Sequence, residues 1–130
     1  MMSFKLFDYR APSGQNDFKA WTKTLQPAQR SKLNAKLDML KMLGDALLPQ
    51  VLTGTDTAGI YKLRVKGNVQ LRPMLCSGPI NVDREFTLLL GAVEVGGTLK
   101  PKNAAAIAAG RKDEVRSDPD KRRIDHERVS

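Results

Sequence analysis

Between residues 57 and 82 the chain carries four cations, Lys62, Arg64, Lys66 and Arg72, and no acid. Lys62 and Arg64 alternate with Tyr61, Leu63 and Val65, and Arg72 follows Leu71. In two paired strands this spacing puts Lys62, Arg64 and Arg72 on one face, with Lys66 at the turn. Like charges gathered on a sheet face repel one another unless something negative sits among them. Arginine also presents a planar fork that grips a phosphate at two points. The face is therefore a candidate phosphodiester site, and its cations can stabilise the charge that builds up in a phosphoryl-transfer transition state. The competing reading is an ordinary solvated strand face.

Other residues offer less. Lys100 and Lys102 flank Pro101 ahead of a last helix that contains Arg111. They can add phosphate contacts at one rim, or simply serve capping and solubility. His126 is the single histidine and stands in a charged stretch, where an exposed, non-catalytic role is expected; a catalytic imidazole needs a fixed place and an orienting partner. Cys76 follows an apolar run and has no histidine near in sequence to activate it, so it reads as a small buried hydrophobe. Trp21 is spaced with Phe18 and Leu25 as a core residue. Gly96-Gly97 lacks the frame of a phosphate-binding loop.

The positioning elements follow from length and pattern. The chain has 130 residues, a net charge of +8 and 41% hydrophobic residues, which fits one domain with one core. A pI of about 9.9 points to a polyanionic partner, nucleic acid first. No apolar run is long enough to span a bilayer, one cysteine excludes an internal disulfide, and one histidine excludes a two-imidazole metal site. No secretory pattern opens the sequence, so a cytoplasmic protein is expected, with no membrane, metal or cofactor in its function.

Phe4 to Tyr9 reads as a first strand. Asn16 or Ser13 caps a helix ending near Leu25, and Pro27 opens a second whose stripe is Leu33, Leu37 and Leu40 and whose stop is Gly44. Lys32, Lys36 and Lys41 lie off that stripe. The short link predicts a helical hairpin. From Ile60 the period becomes two, giving a β-hairpin. A three-residue turn, Lys66-Gly67-Asn68, pairs Val65 with Val69 and Leu63 with Leu71, and sets Arg64 beside Gln70 and Lys62 beside Arg72; it separates an apolar from a polar face. Pro73 marks an edge or a bulge. Phe86 to Val95 is almost continuously apolar, the pattern of a central strand covered on both sides. An alanine-rich helix runs from Asn103 to about Arg116, and residues 117–130 read as a charged tail, helical at most in part. The order β-α-α-β-β-β-α predicts an α+β fold, three or four antiparallel strands packed on the N-terminal helical hairpin, in one domain over residues 1–116.

Several segments together resemble a family: Gly59-Ile-Tyr-Lys-Leu-Arg-Val, the strand carrying Arg72, Phe86-Thr-Leu-Leu-Leu-Gly-Ala, and a helix with Ala104, Ala108, Arg111 and Glu114. They resemble the RelE/HigB-type toxins of bacterial toxin–antitoxin modules, in particular the phage-derived subgroup, over about residues 4–116. The resemblance implies a RelE-like fold and an endoribonuclease that cuts mRNA in the ribosomal decoding site, arresting translation and growth. It implies a cognate antitoxin, a HigA-like helix-turn-helix protein. Arg64 and Arg72 match the positions that bind phosphate and support cleavage, Lys62 and Lys66 would flank them on RNA, and Arg111 matches a recurrent arginine of the last helix. The implied chemistry is metal-free attack of a ribose 2′-hydroxyl on the adjacent phosphate. Glu94 and Gly96-Gly97 depart from a stretch that is basic in relatives. The alternative is a non-enzymatic module that binds nucleic acid or ribosomes, or a degenerate toxin-fold partner protein.

Overall fold

The structure, a computed structural model, describes residues 3–130; Met1 and Met2, which open the expected domain, lie outside the described residues. The chain is α+β in three layers. A six-stranded sheet lies between two N-terminal helices on one face and a C-terminal helix on the other.

The strands are β1 (Lys5–Tyr9), β2 (Leu52–Gly54), β3 (Tyr61–Leu63), β4 (Gln70–Leu71), β5 (Met74–Ser77), β6 (Glu85–Leu90), β7 (Val93–Val95), β8 (Thr98–Lys100) and β9 (Arg123–Asp125). The helices are α1 (Asp17–Lys23), α2 (Pro27–Leu43), α3 (Ala104–Ser117) and α4 (Pro119–Arg122), with a 3-10 turn at Gly44–Leu47. The large sheet runs β2-β3-β5-β6-β1-β9, and β4-β7-β8 form a second, smaller one. The expectation of three or four antiparallel strands is corrected on two counts. The large sheet has six strands, and β1 pairs with β6 in parallel.

The single central strand expected over Phe86 to Val95 is corrected: β6 ends at Leu90, and after Gly91-Ala92 the chain leaves for the small sheet as β7, only partly buried. β6 is the central apolar strand, paired to β5 and β1, with Phe86 and Leu88 in the core under the first two helices and Leu89 in the core under α3. α2 starts at Pro27 and buries Leu33, Leu37 and Leu40 as its stripe requires; each contributes roughly 1.5–3 kcal/mol by leaving water. It ends at Gly44, whose φ of 52° favours glycine and where a Cβ would run into the Phe4 ring. α1 is capped by Asn16, whose Oδ1 accepts the Lys19 N–H at 2.9 Å. It packs on β1 and β6 rather than pairing with α2 as a helical hairpin, because its one well-buried large side chain, Phe18, points at the sheet.

The β3 register differs from expectation by two residues. Val65 bridges Leu71, not Val69, and Lys62 lies opposite Met74, not Arg72. An even slip keeps every side chain on its own face, so the apolar alternation survives while the turn lengthens to residues 66–70. The cause lies downstream. Gln70 and Leu71 pair with β7 in the small sheet, and after Pro73, which has no N–H to give, the chain joins the large sheet as β5, with an irregularity at Met74/Leu75.

Residues 117–130 are not a loose tail. β9 pairs with β1, setting Asp8 opposite Ile124. This edge strand has no core pattern because polar groups hold it: the Arg123 guanidinium stacks 3.9 Å from the Phe7 ring centroid and bonds Glu85 at 2.7 Å. Beyond it, the Val129 N–H and C=O bond the Asn34 side chain at 3.0 and 2.7 Å.

Candidate nucleic-acid interface

With its leucine stripe down, α2 has two flanks. At 100° per residue, Lys32 and Lys36 fall on one and Asn34, Asp38 and Lys41 on the other. Each flank borders a cleft.

The first cleft, about 510 Å³, runs between α2 and the β3 hairpin and is lined by Lys32, Lys36, Gln50, Val51, Arg64, Val65 and Lys66. Four cations face it and no acid does. Among the described residues, no carboxylate lies within ion-pair distance of any of the four. Arg64, Lys66 and Lys32 are exposed, and the Arg64 N–H is anchored on the Val51 carbonyl at 2.8 Å. The cleft continues past Lys32 and Lys66 into a section walled by Gln29 and Asn68 over Val65, Val69 and Leu71. Cations held at the walls of a groove focus a positive field within it and raise the local concentration of anions.

The expected site is only partly assembled. Arg64 and Lys66 line the cleft. Lys62 lies one strand position further, half-buried and paired between Thr53 and Met74. Arg72 is corrected: its side chain is not on an open face. It is 3% exposed, donates to the Leu71 carbonyl at 2.8 Å and the Gln70 side chain at 3.1 Å, and pairs with Glu94 at 3.8 Å. Burial lowers the pKa of this guanidinium, the Glu94 carboxylate pushes it back up, and the like charge of Arg64 lowers it further. The same strand register sets Arg64 across from Arg72, so the buried arginine stands beside the cleft without lining it. Lys100 and Lys102 are exposed but lie on β8 and in the turn into α3, outside the cleft. Arg111 is a structural tie rather than a phosphate contact: it donates to the Leu89 carbonyl at 2.9 Å and to Asp17 at 3.1 Å, and it stacks 4.6 Å from the Tyr9 ring centroid.

Two features escaped the sequence reading. Lys32 and Lys36 were visible only as cations off the stripe; their i, i+4 spacing is the signal that they share a flank. His126 is fixed, not loose. Its Nδ1 lies 2.8 Å from Oδ1 of buried Asp8, whose other oxygen accepts from the Asn16 side chain at 2.8 Å, and the main-chain N–H of His126 donates to the Leu6 carbonyl at 3.0 Å. A carboxylate-held imidazole is equipped for proton transfer. It lines the cleft on the opposite flank of α2, about 360 Å³, where Lys5 pairs with Asp125 and Arg128 with Asp38. A helix about 10 Å thick separates it from the acid-free cleft, so it does not serve a phosphate bound there.

No family model, curated protein or solved structure compared with the chain matches it. No helix among the described residues is long and apolar enough to cross a membrane.

Proposed function

We propose that this protein is a RelE/HigB-type toxin of a toxin–antitoxin module, an endoribonuclease that acts on mRNA held in the ribosome and stops growth. One observation carries the reading: the acid-free cleft where Lys32, Lys36, Arg64 and Lys66 converge. Four unpaired cations cost electrostatic energy in the isolated protein, and a polyanion threaded through the cleft offsets that cost.

In the reaction the 2′-oxygen of a ribose bonds to the neighbouring phosphorus as the bond from that phosphorus to the 5′-oxygen breaks. The products are a 2′,3′-cyclic phosphate and a 5′-hydroxyl; the 2′-hydroxyl gives up its proton and the departing 5′-oxygen takes one up. The cleft's role is to hold the backbone and to offset the extra negative charge of the five-coordinate state, chiefly through Arg64. Alignment comes from the ribosome's grip on the message, which makes the attack effectively unimolecular. The antitoxin, a HigA-like helix-turn-helix protein in this reading, would silence the toxin by covering the cleft.

A second reading has its own support. Arg72 is engaged with Glu94 and Gln70, and the oriented imidazole of His126 lies across α2, so the cleft itself offers cations and amides but no carboxylate or imidazole. That composition also fits a module that binds RNA or ribosomes without cutting. Expression in a bacterial cell tests the first reading. Wild-type protein arrests growth, and Lys32→Ala with Arg64→Ala, soluble because both positions are exposed, restores it. Undiminished arrest by a soluble double variant contradicts the cleft assignment.

A further inference from the structure

β9 closes one edge of the large sheet, and no strand lies beyond it among the described residues. The Arg122 carbonyl accepts the Arg10 N–H at 2.8 Å, the His126 N–H donates to the Leu6 carbonyl at 3.0 Å, and Ile124 lies opposite Asp8 between them. In an antiparallel ladder alternate residues turn their main-chain groups to the same neighbour. Arg122, Ile124 and His126 therefore face β1, while Arg123 and Asp125 turn their N–H and C=O groups outward. Natural edges are commonly guarded by free charges or by proline. Here each charge already has a partner: Arg123 is held by Glu85 and the Phe7 ring, and Asp125 by Lys5. Between them stands Ile124, apolar and 41% exposed.

We propose that this edge takes a second copy of the chain, with β9 joined to β9 antiparallel about a twofold axis at Ile124. The order of charges carries the proposal. About that axis Arg123 of one copy faces Asp125 of the other, and the reverse. These are the residues with outward main-chain groups, so each of the two pairs exchanges two hydrogen bonds. Ile124 meets Ile124 of the second copy in the closer, non-hydrogen-bonded position. The symmetry of sign continues past the strand. Lys121 and Glu127 stand equally far to either side of Ile124, and so do Asp120 and Arg128. A slip of two residues sets Arg123 on Arg123 or Asp125 on Asp125, and like charges directly opposite are destabilising. The other edge, β2, borders the acid-free cleft, and pairing it with itself would crowd like charges together. A strand from an unrelated protein would satisfy the main chain but would not require charges that are complementary about one residue, so a second copy is favoured. The dimer does not depend on the nuclease reading. It leaves the two cationic clefts toward the outer ends of one continuous sheet, roughly 40 Å apart by the usual strand spacing.

The test is sedimentation velocity of the full chain over a concentration series, with disulfide trapping beside it. Wild-type protein should pass from monomer to dimer as concentration rises. Asp125→Arg, at an exposed position, opposes Arg123 on both sides of the axis and should weaken the dimer about tenfold or more, with circular dichroism unchanged. Ile124→Cys should form an intermolecular disulfide in oxidised glutathione, because opposed Cα atoms at such a position lie about 4.5 Å apart. Val95→Cys, also exposed but on β7, is the control and should link more slowly; the native Cys76 is buried. Wild-type protein that stays monomeric throughout, or Ile124→Cys that links no faster than Val95→Cys, overturns the proposal. A dimer that Asp125→Arg leaves undiminished also overturns it, by seating the contact elsewhere.

Discussion

Arg64 and Arg72 differ by burial, not by type, and that difference decides what each substitution does. Arg64 is exposed, so Arg64→Ala removes a charge from the cleft without opening the core. Arg72 is enclosed, so Arg72→Ala also strands Gln70 and Glu94. Glu94 is the more informative position. It is partly exposed and sits 3.8 Å from the Arg72 guanidinium. Glu94→Gln takes away the opposing charge and should tighten binding of a generic single-stranded RNA about two- to tenfold at low salt, by the usual worth of one charge–charge contact. Unchanged affinity, measured by filter binding, would show that Arg72 has no share in the site. The exposure of Arg64 was legible in the sequence because alternation with Leu63 and Val65 forces it outward. The burial of Arg72 was not, since it depends on a carboxylate in a separate sheet and on a register set by β7. Asn16 shows the same limit: capping predicted its contact with Lys19, but nothing local foretold its second bond, to Asp8. Because it does both, Asn16→Ala should cost about 1–3 kcal/mol in urea unfolding, above the ~1 kcal/mol of a lost cap alone.

At the scale of elements, the join between β1 and α3 rests on Tyr9, whose hydroxyl donates to Glu114 at 2.9 Å. Burial and that carboxylate push the Tyr9 pKa from 10.0 up to about 12, and burial pushes the Cys76 thiol from 9.0 up to about 11. A raised folded pKa means that the folded state keeps a proton the unfolded chain has lost. The stability these groups confer is therefore whole below about pH 9 and falls as pH rises from 9 through 12. Urea midpoints should drop across that range, and Tyr9→Phe should flatten the part above pH 10. A Tyr9→Phe curve parallel to wild type would contradict the assignment. Helix α2 was legible from its buried leucine stripe, α1 from its Asn16 cap and Phe18, α3 from its alanine run after Pro101, and β6 from its apolar run. β9 was not, because its hold on β1 is made of Arg123, Asp8 and His126 rather than of apolar residues. Deleting residues 123–130 should accordingly destabilise the sheet edge, with hydrogen exchange rising in β1 and not in α3.

For the molecule as a whole, the net charge of +8 is less informative than its distribution. The charged C-terminal stretch pairs much of its charge internally, through Arg123–Glu85, Lys5–Asp125 and Arg128–Asp38. The cleft beside α2 pairs none of its own among the described residues. On the proposed reading a polyanion binds at that cleft rather than on the surface at large, and that binding should weaken steeply with salt. The α+β class was readable from composition and periodicity; the division of the apolar residues into two cores, one on each face of the sheet, and the parallel β1–β6 pair were not, since strands distant in sequence leave no local mark of their order. The account is tested most directly by adding the purified protein to ribosomes programmed with a defined mRNA and mapping the message's ends. It predicts fragments ending in a cyclic phosphate and a 5′-hydroxyl with wild-type protein, and intact message with Lys32→Ala/Arg64→Ala. Intact message with wild-type protein bound to the ribosome, or undiminished cleavage by the double variant, would contradict it.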